Sequence, residues 1–216
     1  LPACHTLAMI ILHCNIMKMS AVKPDDSGQG TDLEQNPAST IRRLWPTDMD
    51  AYRAHLKRLD PDSRHARFGG GVSDQFIDAH VDASLRMDTL IFGAFDKNEM
   101  IGAGELRLLF GAWPMAAEAA FSVERAYQDH GLGDALMARV VAAARNRGIL
   151  RLAMTCLSHN ERMRHLAHKH HAEFVNSDGE TEAWLPPASP SALTLIEETF
   201  GETGGLFNSL FRHSRN

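Results

Sequence analysis

The run Ala117-Glu118-Ala119-Ala120-Phe121-Ser122-Val123-Glu124, the loop Gln128-Asp129-His130-Gly131-Leu132-Gly133, and the continuation through Arg147-Gly148 to Leu150-Arg151-Leu152-Ala153-Met154-Thr155-Cys156-Leu157 decide the fold of this chain. Residues 117–124 read as a strand. Residues 132–147 place Leu136, Met137, Val140, Val141 and Ala144 on one side of a helix, and Gly148 stands where that helix should stop. Residues 150–157 are almost continuously apolar, as expected of a strand covered on both faces. Strand, helix and strand in this order make a crossover unit, whose connection is right-handed and whose two strands are parallel.

Upstream, residues 40–45 alternate as a strand does, and Pro46 ends it. Thr47 is placed to cap a helix through Leu59, with Met49, Tyr52, Leu56 and Leu59 at helical spacing. Asp60-Pro61-Asp62-Ser63 breaks that helix, and Gly69-Gly70-Gly71 reads as a flexible joint. Ser73 caps a second helix carrying Phe76, Ile77 and Val81. Residues 89–95 and 100–110 form a hairpin about the turn Asp96-Lys97-Asn98-Glu99, and residues 111–114 a loop. Downstream, residues 160–170 are a helix, and residues 172–175 and 182–185 a last hairpin around Asn176-Ser177-Asp178-Gly179. The order β-α-α-β-β-β-α-β-α-β-β predicts an α/β architecture: a mixed, mostly antiparallel sheet with one parallel strand pair, flanked by helices.

That domain spans residues 39–187. Residues 1–38 read as a leader, of which 20–38 are polar and rich in Gly, Pro and Asp, and 1–19 lie outside the working fold. Pro186-Pro187 closes the domain. Residues 188–216 are a tail in which Leu193, Leu195, Ile196 and Phe200 suit a short amphipathic helix, packed on its own domain or paired in a homodimer. The 216 residues are enough for one well-buried domain with tails. A net charge of -5 offers no basic surface to nucleic acid. The apolar run 7–12 is far too short to span a bilayer, and no basic segment before it or small-residue cleavage site after it marks a signal peptide, so no membrane partner is expected. Cys4, Cys14 and Cys156 make no disulfide framework, which fits a reducing, cytoplasmic setting.

The chemistry centres on the loop between strand and helix. Glycine at 131 and 133 lets the backbone approach a ligand and take a positive φ. The first turn of the helix behind it presents unpaired N–H groups and the positive end of the helix dipole. Together they suit a pyrophosphate. A lone Gly-x-Gly is equally a tight turn. A Rossmann reading fits poorly, because no acidic residue ends a matching next strand.

Taken with Asn160-Glu161-Arg162-Met163-Arg164-His165-Leu166-Ala167-His168-Lys169, these residues resemble the cofactor-binding core of the GNAT superfamily of N-acetyltransferases. The family loop Q/R-x-x-G-x-G/A is matched at Gln128, Gly131 and Gly133. The likeness follows the element order over residues 40–186 and is sharpest over 117–174. Three further stretches are similar to the GNAT domains of bacterial Pat-type protein acetyltransferases. They are Ile41-Arg42-Arg43-Leu44 with Pro46-x-Asp48, Leu59-Asp60-Pro61-Asp62-Ser63-Arg64-x-x-Arg67-Phe68, and Asn160-x-x-Met163-x-x-Leu166-Ala167-x-Lys169.

The resemblance implies a GNAT-like fold, acetyl-CoA as cosubstrate, and direct transfer to a primary amine acceptor, a protein lysine or a small molecule, without an acyl-enzyme. It implies that Gln128, Asp129, His130, Gly131, Leu132, Gly133 and Asp134 hold the pyrophosphate. The backbone of Phe121, Ser122 and Val123 would hold the pantetheine arm, with the Val123 N–H on the carbonyl. Asn160 would contact the cofactor, or serve as an ordinary helix cap. Glu118 matches the catalytic glutamate of Pat-type enzymes. Flanked by alanines, it would act as the base that frees the amine, its proton affinity raised by burial, unless it is an edge residue facing water. Glu105 is a second candidate.

Two positions depart from the family. Ala167 stands where many members place an acidic tyrosine, although Pat-type relatives also have alanine, leaving Ser158, water or the returning amine as acid. His170-His171 replaces the usual glycine and puts that turn in question. With these departures, an acetyl-CoA-binding sensor without turnover stands as the alternative to an enzyme. His165, His168, His170 and His171 have no His-Glu-x-x-His motif and no Cys beside them, so they read as a polar helix face and no metal is expected. Arg53, His55, Lys57, Arg58, Arg64, His65 and Arg67 make the first helical region basic, read as a solvated face.

Overall fold

The strand–helix–strand unit folds as β4 (Ala116–Val123), α4 (Leu132–Asn146) and β5 (Arg151–Leu157), and β4 and β5 are parallel neighbours. The structure, a computed structural model, describes residues 39–85, 88–112, 115–157, 160–177 and 180–185. The remaining strands are β1 (Ser39–Arg43), β2 (Thr89–Asp96), β3 (Glu99–Leu109), β6 (Glu173–Ser177) and β7 (Glu180–Leu185). They form one sheet in the order β1-β2-β3-β4-β5-β7-β6, and every neighbouring pair other than β4·β5 is antiparallel. The other helices are α1 (Met49–Arg58), α2 (Pro61–Phe68), α3 (Asp74–Ser84) and α5 (Glu161–Lys169). The expected leader 1–38, the tail 188–216 and Ser158 lie outside the described residues.

Two apolar layers hold the sheet. On one face the α4 stripe Leu136, Met137, Val140, Val141 and Ala144 packs with Leu90, Phe92, Leu106, Ala119 and Phe121. On the other, Tyr52 and Leu56 of α1 and Ile77 and Val81 of α3 pack with Ile91, Phe95, Met100 and Ala103. Gly104 lets α4 lie close to β3: a Cβ there would come within 3.0 Å of Val140 and 3.2 Å of Phe121. Gly104→Val therefore overpacks the seam that fixes where α4 begins. It is expected to destabilise the fold by about 1–3 kcal/mol, read as a lower urea midpoint. An unchanged midpoint would mean α4 is seated differently.

Three local details differ from the expectation. Asp60-Pro61-Asp62-Ser63 does end α1, but it also starts α2. Asp60 accepts from the N–H groups of Asp62 and Ser63 at 3.2 Å each, and Pro61 takes the first helical position, where its missing N–H costs nothing. The cap position of α1 falls on Asp48, one residue after Thr47. Pro46–Asp48 is a 3-10 turn, and Asp48 accepts from the Trp45 N–H at 2.9 Å and from both terminal nitrogens of Arg42 at 2.8 Å. Arg42 and Asp48 are 6% and 5% exposed, so this forked pair pins β1 to the start of α1 and accounts for that part of the motif. Phe76 faces outward at 42% exposed and meets Phe68 edge-on. The turn after α5 forms with histidine in place of glycine: His171 takes φ +60°, and Ala172 donates its N–H to Ala167 at 3.0 Å.

Candidate active site

The sheet is opened at the one parallel pair among its described strands. β4 and β5 pair at Ala116↔Arg151, Ala117↔Leu152 and Glu118↔Ala153, and then part, although both strands run on. Glu124 donates its N–H to the Ile101 carbonyl at 3.0 Å. Along an antiparallel strand, peptide groups turn alternately to one neighbour and the other. Ala120 and Ser122 therefore turn theirs to β3, while Phe121 and Val123 turn theirs into the split. The Val123 carbonyl is met there by the Gln128 side-chain amide at 2.9 Å. Of the three residues expected to offer backbone to an extended arm, Phe121 and Val123 are thus free to do so, and the Ser122 peptide is used by β3.

The loop lies at the mouth of the split. Asp129 and Gly131 have φ +63° and +76°, and Gly131 is the cap of α4 with no side chain capping it. No acceptor among the described residues meets the N–H of His130, Gly131, Leu132, Gly133 or Asp134. Nothing lies within 4 Å of where a Gly131 Cβ would be, and Gly133 would only touch Leu166 at 3.6 Å. The nest is therefore open, and no side chain of the described residues fills it. Gln128 braces it: its amide donates to Ser63 Oγ at 3.0 Å and its oxygen accepts from Arg162 at 2.8 Å. Arg162 also reaches Asp129 at 3.0 Å. Leu132 points into the core and His130 is exposed. The Asp134 carboxylate is taken by Lys169 at 2.6 Å and His170 at 2.7 Å, tying α4 to the end of α5. Partial burial pushes its carboxyl up, but the bonds from Lys169 and His170 outweigh this and hold it below the usual range. Asn160 caps α5, its side-chain oxygen accepting from Met163 N–H at 3.1 Å.

Residues paired directly across β3 and β4 share a face of the sheet. Glu118 stands opposite Arg107, Ala120 opposite Glu105, and Ser122 opposite Ala103, all on the side of α1 to α3. Glu118 is half-buried, with no hydrogen bond or ion pair to it among the described residues. Glu105 is a different case. Its carboxylate is bound by Arg67, by the Tyr52 hydroxyl and, at 3.4 Å, by His80. Burial alone would raise its carboxyl, but Arg67 and the bonds from His80 and Tyr52 hold it far below the usual range. Such a carboxylate has almost no proton affinity at neutral pH and is no base, which removes the second candidate.

The basic helical region is a solvated face only in part: its cations are paired, and Arg67 and His55 are buried. Arg53 pairs with Asp78 and Asp82, Lys57 with Asp78, Arg58 with Glu99 and Glu124, Arg64 with Asp74, and Arg67 with Glu105. His55, counted in that face, is wholly buried. Its Nδ1 lies 3.0 Å from Glu124 and its Nε2 2.9 Å from Ser122 Oγ. The available signal was its spacing, since position 55 falls on the helix side of Tyr52 and Leu56, which are core. Among the described residues no three His, Cys, Asp or Glu side chains are grouped to hold a metal, and no helix is long and apolar enough to cross a membrane.

The fold is shared with solved structures. The GNAT domain of PAT from S. lividans superposes with a TM-score of 0.61 at 22% identity, covering 68% of this chain and 90% of that one. YncA from Salmonella typhimurium, solved with its cofactor acetyl-CoA, has a TM-score of 0.55 at 18% identity, covering 71% and 98%. The PaiA N-acetyltransferase from Thermoplasma acidophilum, solved with coenzyme A, has a TM-score of 0.53 at 17% identity, covering 69% and 99%. No curated protein sequence matches the chain. The description of the acetyltransferase (GNAT) family, however, matches residues 49–172, which take in α1, the split pair of strands and the glycine loop. The chain belongs to the acetyltransferase (GNAT) family and is an N-acetyltransferase with acetyl-CoA as cosubstrate.

Proposed function

We propose that the chain transfers the acetyl group directly to a primary amine, a protein lysine or a small-molecule amine, within a domain spanning residues 39–187. The observation that carries this reading is the pairing of an open amide nest at Asp129–Asp134 with two peptide edges turned into the split beside it, the Phe121 peptide and the Val123 N–H. The diphosphate sits on the nest, which supplies N–H donors and the positive helix end. The pantetheine arm runs down the split as an added strand would. Entering from the loop, it meets Val123 first and Phe121 one two-residue step, about 7 Å, further on. That order favours the Phe121 N–H, rather than that of Val123, as the contact that draws charge onto the thioester carbonyl.

Glu118 lies on the α1 side of the same strand, with only the Ala120 methyl between it and Ser122. It is the base that takes the first proton from an incoming ammonium, through water. Glu118→Gln keeps size and polarity and removes basicity. It is expected to lower kcat by about 100-fold or more while acetyl-CoA affinity holds, measured by thiol release and by titration calorimetry. Turnover at the unaltered rate would remove Glu118 from the reaction. Tight acetyl-CoA binding with no turnover on any of a panel of amines would select the sensor reading instead. Ala167, buried where many relatives carry a tyrosine, means that a tyrosine at that position is not the acid.

A further inference from the structure

Amine acetylation moves two protons. The acceptor arrives as R–NH3+ and must lose one before it can attack. After the C–N bond forms, the adduct nitrogen is cationic again, and its second proton has to leave as the thiolate leaves. Glu118 accounts for the first. The residue nearest in place to the second is Ser122, which lies between Phe121 and Val123 on β4 with its side chain on the α1 side of the sheet, the side of Glu118.

Ser122 does not stand alone. His55 Nε2 is 2.9 Å from its Oγ, and His55 Nδ1 is 3.0 Å from Glu124 Oε1. Glu124 is fixed in turn by Arg58 at 2.8 Å. Partial burial pushes the Glu124 carboxyl up, but His55 and Arg58 outweigh this and hold it low, so it is a carboxylate and can only accept. The Nδ1 therefore carries the hydrogen, Nε2 carries the lone pair, and the Ser122 hydroxyl donates to Nε2. A hydroxyl, a base and a carboxylate that orients the base make a proton-handling relay. The three come from α1 and the end of β4.

We propose that Ser122, with His55 and Glu124 behind it, shuttles the second proton from the adduct nitrogen to the departing sulfur. This rests on the acetyl-transfer reading above. Ser122 Oγ accepts the proton from the adduct nitrogen as its own proton passes to His55 Nε2, and Glu124 faces the imidazolium that results. The C–S bond then breaks with its electron pair on sulfur, and the carbonyl re-forms. The proton returns from Nε2 through Ser122 Oγ to the thiolate. One proton has moved from nitrogen to sulfur, and serine and histidine are restored. Ser122 is the catalytic residue here; His55 and Glu124 position and back it.

The charged groups facing His55 are Glu124 from the end of β4, Arg58 on its own helix and Arg67 from α2. Burial, with the two arginines, lowers its proton affinity more than Glu124 raises it, so the imidazole is neutral at pH 7 and ready to accept. The rate should then fall as pH drops through a value below the usual histidine one.

The test uses the full chain, acetyl-CoA and the best amine of a panel, with Ser122→Ala, Ser122→Thr and His55→Gln. Expected are a fall in kcat of about 100-fold for Ser122→Ala and His55→Gln, with acetyl-CoA affinity kept. Ser122→Thr should regain most of the rate, and His55→Gln should lose the acid limb of kcat. Wild-type kcat in Ser122→Ala overturns the shuttle. So does a loss that appears as weaker acetyl-CoA binding and is not rescued by threonine, since that is a strand support only. If His55→Gln does not fold, the two Ser122 variants still decide. A Glu118→Gln variant that has lost turnover beside an unimpaired Ser122→Ala leaves the acetyltransferase standing without the shuttle. A wild-type protein that neither binds nor uses acetyl-CoA removes both.

Discussion

Gly131→Glu is expected to abolish useful acetyl-CoA binding, weakening it by about 100-fold or more, which is about 2.8 kcal/mol. Two effects add. Position 131 has φ +76°, a left-handed conformation that costs a residue with a Cβ about 1–2 kcal/mol. The new carboxylate would also stand beside the unpaired N–H groups of the first α4 turn, competing for the donors a diphosphate needs and repelling its charge. Gly131→Ala separates them. Nothing lies within 4 Å of its Cβ, so it carries the backbone strain without the charge and should lose much less affinity. Titration calorimetry with acetyl-CoA on both variants reads the difference. Unchanged affinity in Gly131→Glu would place the diphosphate elsewhere.

Arg67→Met should cost about 3–5 kcal/mol of folding stability at pH 7, because it leaves the Glu105 carboxylate buried without its cation. The side chains of Arg67 and Glu105 are 9% and 5% exposed, and the Tyr52 hydroxyl and His80 alone remain to offset the charge. The pH dependence identifies the cause. In the wild-type protein the folded Glu105 carboxyl lies below its unfolded value of about 4.3, so its contribution is present above that value and is lost as pH falls. In the variant, burial dominates and raises the carboxyl, so acid relieves the strain. The gap between the two proteins in urea denaturation should therefore narrow from pH 7 to pH 5. A gap that stays constant would mean the loss comes from packing of the arginine stem instead.

Much of the frame was legible because it is written in local chemistry. The apolar stripe Leu136, Met137, Val140, Val141 and Ala144 can only be a half-buried helix, and Gly131 and Gly148, at φ +76° and +66°, sit at its two ends. Ser73 was readable as a cap, and it accepts from Phe76 N–H at 3.2 Å. The helix Pro61–Phe68 was readable too, since aspartate followed by proline is a start signal as much as a break. Reading Asp60-Pro61 only as a stop lost that helix. Glu105 looked like a spare base because a carboxylate on a strand carries no local mark of its partners.

The chain's periodicity and its glycines thus determined the order of the strands and of every helix but Pro61–Phe68, the parallel crossover and the position of the loop. These depend on backbone conformation and on which side of an element is apolar, both properties of short segments. The tertiary structure alone decided that β4 and β5 part after Glu118, that Arg67 neutralises Glu105, and that His55 leaves the basic helical region to meet Ser122. The last two join residues 38 and 67 positions apart, so they exist only once α1 and α2 lie across β3 and β4. Side chains choose partners by proximity in space and by what burial forbids them to leave unpaired, and neither is encoded in neighbouring residues.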